Sequence, residues 1–322
     1  MNGTTNRPTT NRHFPARPVL LPLALALICA SALGAGGCAA RGDDRPTVVV
    51  TTNILGDITR NIVGDEADVT VLMRPGADPH SFGVSATQAA TVEQADLVVH
   101  NGLGLEENVL RHVAAAKEAG VPTLAVGDTV DPISYRSGES ADRPDPHFWT
   151  DPERVREAVG VIADEVVENV KDVDRAAVEK NASEYGAKVA GLNSWMRTAF
   201  DEIPEERRQL VTNHHVFGYL AQRFGFRVVG AVVPSGTTLA SPSASDLTSL
   251  ATAVEKAGVG AIFADSSQPD RLAHVLKQEA GIDVDVVPLF SESLTEKGKG
   301  AATYLEMMRA NTRSIATALS TE

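Results

Sequence analysis

From Thr47 onward, short runs of β-branched and apolar residues alternate with longer amphipathic segments. The short runs predict strands, and the longer segments, with apolar residues at helical spacing, predict helices. The predicted strands are Thr47–Thr52, Val69–Met73, Leu97–His100, Pro122–Val126, Leu210–Thr212, Val228–Val232, Ala261–Ala264 and Val284–Pro288. The predicted helices between and after them are Ile54–Val63, Ala86–Gln94, Leu105–Ala119, Phe217–Arg223, Ser245–Ala257, Asp270–Glu279 and Ala301–Leu319.

Strands that alternate with helices predict an α/β fold, with mostly parallel sheets flanked by helices. The alternation stops in the middle of the chain, where Pro152–Asp172 and Arg175–Ile203 read as consecutive helices. The second would be about 40 Å long at 1.5 Å per residue. We therefore predict two α/β lobes, residues 47–174 and 204–322, joined by one long rigid helix over residues 175–203. Two ordinary helices packed on one lobe are the alternative.

The N-terminus has the pattern of a secretory signal peptide over residues 1–37: three arginines, then the apolar run Val19–Leu33, then small residues. A transmembrane anchor is the alternative, but this run is shorter than the roughly 20 residues needed to cross a bilayer. The segment Ala35-Gly36-Gly37-Cys38 is similar to a bacterial lipobox, which predicts lipidation of Cys38 and a tether over residues 38–46. Cys29 would leave with the signal, so no disulfide is expected.

Composition narrows the possible ligands. The chain carries a formal net charge of −13 and no basic run, which argues against nucleic-acid binding and favours a cation. Only 5% of the residues are aromatic, which disfavours a cleft lined for an organic solute. Because both cysteines would be lost or lipidated, no thiolate remains to bind a soft metal.

The tripeptide Asp-Pro-His occurs twice, and both copies fall in predicted loops at the edge of an α/β unit. One copy ends at His80, and the other ends at His147. Proline restrains φ and pushes the preceding residue to an extended shape, so each histidine has a restrained backbone suited to a preorganised ligand. Each aspartate is a candidate to orient its imidazole by accepting the distal N–H. Ordinary Asp-Pro turns with incidental histidines are the alternative.

Two further candidate segments follow predicted strands, at the edge where ligands gather in open α/β sheets. The first contains His214 and His215, and the second contains Glu292. Three imidazoles and one carboxylate from four such edges would form a tetrahedral zinc site. The remaining histidines have plainer interpretations: His13 lies in the predicted signal, His112 and His274 within helices, and His100 at a strand end where a structural hydrogen bond is expected.

Taken together, these motifs resemble the metal-specific substrate-binding lipoproteins of zinc and manganese ABC importers, which include the high-affinity zinc receptor and the streptococcal adhesin-like lipoproteins. The motifs are Asp-Pro-His-Ser-Phe (78–82), Asp-Pro-His-Phe-Trp-Thr-Asp-Pro (145–152), His-His-Val-Phe-Gly-Tyr (214–219) and Phe-Ser-Glu-Ser (290–293). They occur in the family's order, and the resemblance covers Thr47–Glu322. It implies two α/β lobes with the metal in the cleft between them, and ligand roles for His80, His147, His214 and Glu292.

The chain departs from the family pattern at three places. Where the family commonly has aspartate after the third histidine, this chain has His215, so His214 and His215 compete for the role; position favours His214. Many relatives have aspartate where this chain has the longer Glu292. The segment Asp128–Asp145 lacks the histidine-rich loop of many zinc-specific relatives and therefore gives no support for zinc.

The resemblance implies a receptor on the outer face of the bacterial cytoplasmic membrane, anchored by lipid, that delivers Zn²⁺ to an ABC importer permease and its ATPase. A metallochaperone is a further implied partner, and a Mn²⁺ receptor of the same family is the main alternative. A surface adhesin has no independent support. A zinc hydrolase is disfavoured, because four protein ligands leave no open position and no His-Glu-x-x-His or Gly-x-Ser-x-Gly motif is present.

Overall fold

The computed structural model of the protein describes residues 45–136, 140–281 and 285–320. The predicted signal peptide, Cys38 and most of the predicted tether lie outside these residues. In the part that is described, no helix is both long and apolar enough to cross a membrane.

The N-terminal lobe is built on a four-stranded parallel sheet with the strand order β2-β1-β3-β4. The central strand β1 buries Val48, Val49 and Val50 completely, as expected for a sheet covered on both faces. Its strands are β1 (Thr47–Val50), β2 (Asp68–Val71), β3 (Leu97–His100) and β4 (Thr123–Ala125), and its helices are α1 (Asn53–Val63), α2 (Ala86–Glu93) and α3 (Leu110–Glu118).

The C-terminal lobe repeats this arrangement with a parallel sheet in the order β6-β5-β7-β8. Its strands are β5 (Gln209–Thr212), β6 (Arg227–Ala231), β7 (Ala261–Asp265) and β8 (Asp285–Leu289). Its helices are α6 (Gly218–Phe224), α7 (Ala244–Ala257), α8 (Arg271–Ala280) and α9 (Tyr304–Ser320).

Between the two sheets in the chain lie α4 (Pro152–Asn169) and α5 (Arg175–Asp201), which pack against each other. Helix α5 is 27 residues long, about 40 Å at 1.5 Å per residue. It contacts α1 of the N-terminal lobe and α9 of the C-terminal lobe, so a continuous set of buried apolar side chains runs through both lobes. The fold is the predicted one of two parallel-sheet lobes with a long connecting helix. The exact lobe boundaries stay a prediction.

Several predicted elements are shorter in the structure, and two of them, in the N-terminal lobe, have a clear local reason. The predicted strand Thr47–Thr52 ends at Val50, because the Thr52 side chain accepts the backbone N–H of Leu55 and caps α1. The predicted helix Leu105–Ala119 begins only at Leu110. The preceding turn holds Glu106, whose buried carboxylate accepts the hydroxyl of Thr51 at 2.6 Å and so ties this turn to the end of β1.

Candidate metal centre

The four side chains singled out from the sequence come together in one buried cluster. His80, His147, His214 and Glu292 each offer a ligand atom, and these atoms all lie within 4.8 Å of one another. Each of the four is at most 2% exposed. A buried set of three imidazoles and one carboxylate is a donor combination that suits a divalent transition metal.

Each member comes from a loop beyond a strand or before a helix. His80 follows β2, His147 precedes the 3-10 turn that leads into α4, His214 follows β5, and Glu292 follows β8. Parallel strands bring their carboxyl ends to one edge of a sheet, and here the two sheets bring such edges together. The four residues of the cluster are therefore close in space although they are far apart in the chain.

The carboxylate of Glu292 lies at the centre of the cluster. One of its oxygens is 3.4 Å from Nε2 of His80, and the other is 3.5 Å from Nε2 of His147 and 3.4 Å from Nε2 of His214. These separations exceed those of good hydrogen bonds, and neither oxygen has a hydrogen-bond partner within the described residues. A fully buried carboxylate without donors is costly, and a cation among the four side chains would satisfy it.

The charges in the cluster depend on one another. Burial alone would raise the pKa of Glu292, but the facing imidazoles of His147 and His214 outweigh it and hold that pKa well below its usual range. Burial disfavours a charged His214, yet the Glu292 carboxylate outweighs this effect and raises the pKa of that imidazole. The site thus stabilises a negative carboxylate and a positive partner, as a cation-binding site requires.

His147 has the orienting aspartate that its motif predicts. Oδ1 of Asp145 lies 2.7 Å from Nδ1 of the imidazole and also accepts the backbone N–H of His147 at 3.0 Å. Assigned from this hydrogen-bond network, the ring proton sits on Nδ1 and leaves the Nε2 lone pair facing the cluster. The indole of Trp149 packs edge-on against the same imidazole, with ring centroids 5.2 Å apart. Trp149 therefore forms part of the wall of the site.

The equivalent prediction for His80 was wrong. Oδ1 of Asp78 accepts the backbone N–H of His80 at 2.9 Å, but among the described residues Asp78 makes no hydrogen bond to the His80 imidazole. The other oxygen accepts the hydroxyl of Thr238 at 2.6 Å and the amide of Gln268 at 3.0 Å, so Asp78 links the first lobe to two loops of the second. The position of Asp78 two residues before His80 did not reveal that it connects the two lobes.

The structure also separates the two adjacent histidines. His214 joins the cluster, whereas His215 is half-buried and lies against Tyr135, with ring centroids 6.3 Å apart. Burial lowers the pKa of His215, and the neighbouring His214 adds to that effect. His100, His112 and His274 lie outside the cluster. The hydrogen bond expected for His100 is not made at Nδ1 within the described part of the chain.

Tyr135 is a site residue that sequence reasoning missed. Its hydroxyl lies 3.3 Å from Nδ1 of His147 and 3.2 Å from the carbonyl oxygen of Gly236, to which it donates. Burial and the nearby carboxylate of Asp145 raise the pKa of this phenol, so it keeps its proton. No motif marks Tyr135, because a single tyrosine in an irregular loop has no pattern of its own.

The sequence of this chain is similar to those of known metal-binding and metal-uptake proteins. The sequence profile of the family described as "Zinc-uptake complex component A periplasmic" (ZnuA) matches residues 48–318. The manganese-binding lipoprotein MntA of Halalkalibacterium halodurans is 29% identical over 301 residues, which cover 91% of this chain and 97% of MntA. The zinc-binding protein TroA of Treponema pallidum is also 29% identical over 301 residues, covering 92% of this chain and 96% of TroA.

Solved structures show the same fold. The periplasmic zinc-binding protein TroA from Treponema pallidum superposes with a TM-score of 0.79 at 27% identity, covering 86% of this chain and all of that chain. A manganese-bound periplasmic metal-binding protein from Candidatus Liberibacter asiaticus superposes with a TM-score of 0.76 at 28% identity, covering 85% of this chain and 100% of that chain. These similar proteins are thus named for two different metals.

Proposed function

Because this chain belongs to the family of periplasmic zinc-uptake components, and is therefore a substrate-binding protein of a metal ABC importer, we propose that its cargo is zinc. The observation that supports zinc is the buried cluster of three imidazoles and one carboxylate. This is a borderline-soft set of four ligands, and Zn²⁺ accepts a tetrahedral arrangement of such ligands. We further propose that the four ligands are His80, His147, His214 and Glu292, one zinc ion per chain.

Manganese is the second candidate, and one specific observation favours it. Both oxygens of Glu292 lack hydrogen-bond partners among the described residues, so the carboxylate can bind a metal through both and raise the coordination number. Manganese prefers six-coordination with more oxygen ligands and stands lowest in the divalent affinity series. With three imidazoles against one carboxylate, the balance of ligand types favours zinc.

Capture and delivery fit this site better than catalysis does. A catalytic zinc site keeps one coordination position open for water, whereas four protein side chains would close a tetrahedral ion. The metal would then be cargo that the protein passes to the importer permease, whose ATPase drives transport. Loading by a metallochaperone remains part of the proposal.

The metal assignment is tested by competition on purified metal-free protein. Zinc should bind with a stoichiometry of one and should displace manganese. His214→Ala should lower zinc affinity by at least about 100-fold, as expected when a direct ligand is lost, since even supporting residues cost about 10- to 100-fold. The matched control is His215→Ala, which should change it little. Tighter manganese binding would overturn the assignment to zinc, and an inert Glu292→Ala variant would overturn the ligand set.

We also propose that lipid on Cys38 anchors the protein outside the cytoplasmic membrane. The lipobox-like segment before Cys38 supports this location, and MntA, a similar protein, is named a lipoprotein. Cys38→Ser should move the protein from the membrane fraction to the soluble fraction or leave it unprocessed. Full retention in the membrane at mature size would contradict the anchor.

A further inference from the structure

The loop that carries Glu292 is bonded to both lobes. On the C-terminal side, the backbone N–H and the hydroxyl of Ser291 both donate to the carboxylate of Asp265, which ends β7. On the N-terminal side, the backbone N–H of Gly76 donates to the carbonyl oxygen of Leu294 at 2.9 Å. Glu292 therefore lies in a short bridge between the two lobes, and its position depends on what holds this bridge.

Asn53 makes two side-chain hydrogen bonds from the first lobe to this bridge. It is the first residue of α1, directly beyond β1, and it is only 7% exposed. Its Nδ2 donates to the hydroxyl of Ser293 at 2.7 Å, and its Oδ1 accepts the backbone N–H of Leu294 at 2.9 Å. Nδ2 also donates to the carbonyl oxygen of Arg74 at 3.2 Å. The side-chain amide of Asn53 thus forms hydrogen bonds with both residues that follow Glu292.

Hydrogen bonds from the described residues do not set the orientation of the Glu292 carboxylate. Nδ1 of His147 is held by Asp145 at 2.7 Å, and Nδ1 of His214 is contacted by the amide of Asn213 at 3.3 Å. By contrast, neither carboxylate oxygen of Glu292 has a hydrogen-bond donor among the described residues. A glutamate has three rotatable side-chain bonds, so its direction must be set by its backbone and by packing. The backbone on its C-terminal side is the part that Asn53 holds.

We propose that Asn53 is a positioning residue for Glu292. Its hydrogen bonds to Ser293 and Leu294 tie the loop that carries Glu292 to α1 of the N-terminal lobe, which also carries His80 and His147. His214 is then the one member of the cluster that only the C-terminal lobe holds. This inference rests on the proposed metal-binding function of the cluster.

A double-mutant cycle tests the proposal with zinc as the probe. Asn53→Ala should lower zinc affinity about 10- to 100-fold, as is typical when a group that orients a ligand is removed. In a Glu292→Ala background, the same substitution should cost less than about 3-fold, because the residue that it positions is absent. The matched control is Asn61→Ala, which removes an exposed asparagine of the same helix and should change affinity in neither background.

Three results would overturn the proposal: unchanged affinity in Asn53→Ala, an equal loss in both backgrounds, or an equal loss in the Asn61→Ala control. Equal losses would mean that Asn53 supports the fold and does not act through Glu292. If Asn53→Ala does not fold, Ser293→Ala completes the cycle, because it removes one of the two bridge contacts and leaves α1 intact. For Ser293→Ala we expect a smaller loss that also disappears with Glu292→Ala, and a loss that persists would count against the proposal.

Failure of the proposed function would look different. If the parent protein binds manganese and not zinc, the cycle is run with manganese and the role of Asn53 is judged on that metal. If the parent binds neither metal, the proposed function and the role of Asn53 both fall. If the parent binds zinc and the cycle shows no coupling, only the role of Asn53 falls.

Discussion

At the scale of single residues, the site combines groups that would be unfavourable apart. Glu292 is buried without a hydrogen-bond donor in the described part of the chain, and His214 is fully buried beside it. Burying an isolated charge is costly, so each group is stable as an ion mainly because the other is present. A divalent metal would replace the proton on the imidazole side and satisfy both free oxygens of the carboxylate.

Asp145 is the residue for which a conservative substitution is most informative. Asp145→Asn keeps the shape and the acceptor oxygen for Nδ1 of His147 but removes the negative charge. We expect zinc affinity to fall about 10- to 100-fold, because the charge makes the imidazole a better donor to the metal. Isothermal titration with a competing chelator would measure the change.

The control for this substitution is Asp142→Asn, on an exposed position of the same loop. Asp142 has a positive φ of 65°, a conformation that asparagine tolerates well, so this variant should fold and bind as the parent does. Equal affinity in Asp145→Asn and the parent would show that the hydrogen bond alone, without the charge, is sufficient.

At the scale of elements, the site depends on how closely α1 packs on its sheet. Gly56 lies in this helix, and a Cβ built there would come 2.3 Å from a methyl carbon of Val71 in β2. Real Cβ atoms do not approach other carbon atoms so closely, and the branched side chain of Val71 has little freedom to move. The same helix begins with Asn53, so its distance from the sheet also sets where that amide lies.

Gly56→Ala should therefore destabilise the protein despite the better helix propensity of alanine. The propensity gain is about 0.5–1 kcal/mol, whereas forcing a methyl group into a packed interface costs about 1–3 kcal/mol. The matched control is Gly160→Ala in α4, where a Cβ meets nothing within 4 Å and the position is exposed. That variant should gain stability. Urea denaturation of both metal-free variants would measure the difference, and a stabilised Gly56→Ala would contradict the close packing.

At the scale of the whole molecule, two sheets and the long helix α5 bring residues more than 200 positions apart into one site. Helix α5 contributes no member of the cluster, but it packs against α1 and α9 and so connects the lobes through their shared apolar core. The candidate metal site therefore depends on the folding of both lobes. Solution conditions that change the charge of its side chains should change metal binding.

Metal affinity should depend on pH with a defined sign. The metal requires a neutral imidazole, and the pKa of His214 is raised above its ordinary value of about 6.5. As pH falls, protons therefore compete at a pH higher than for a free histidine, and apparent zinc affinity should begin to fall above about pH 6.5 and steepen below it. Without metal the sign reverses: the stability that His214 contributes is present below about 6.5 and is lost as pH rises through its raised pKa.

Two measurements check this prediction. Apparent zinc affinity, measured between about pH 5.5 and 8.5, should fall toward the acidic end of this interval, which includes the reference histidine pKa of about 6.5. The increase in melting temperature on zinc addition should grow with pH over the same interval, because zinc binds more tightly as fewer imidazoles are protonated. His274→Ala, on an exposed helix position, is the control and should keep the parent profile. A flat affinity across this interval would mean that imidazoles do not bind the metal.

The sequence by itself determined the fold class and the candidate residues of the site. Strand and helix patterns are local, because burial on a sheet or on one helix face repeats at a fixed spacing, and this is why β3 is predicted at Leu97–His100 and found there. The Asp-Pro-His motifs and the histidine after β5 are also local signals. Because these residues follow strands, the sequence predicted that they would lie at the edges of the sheets where strands end. The structure brings them together there. Their role as ligands stays a prediction.

Only the tertiary structure decided which polar groups meet. His214 and His215 are neighbours in the chain, and the turn after β5 directs only the first toward Glu292. Asp78 and Asp145 occur in identical tripeptides, yet Asp78 accepts the hydroxyl of Thr238 in the other lobe, whereas Asp145 bonds to the imidazole of its own histidine. Hydrogen bonds between distant residues depend on how whole elements pack together, and the pairing of such polar groups leaves no periodic pattern in the sequence. For that reason Asn53, 240 residues from Ser293, could not be recognised before the fold was known.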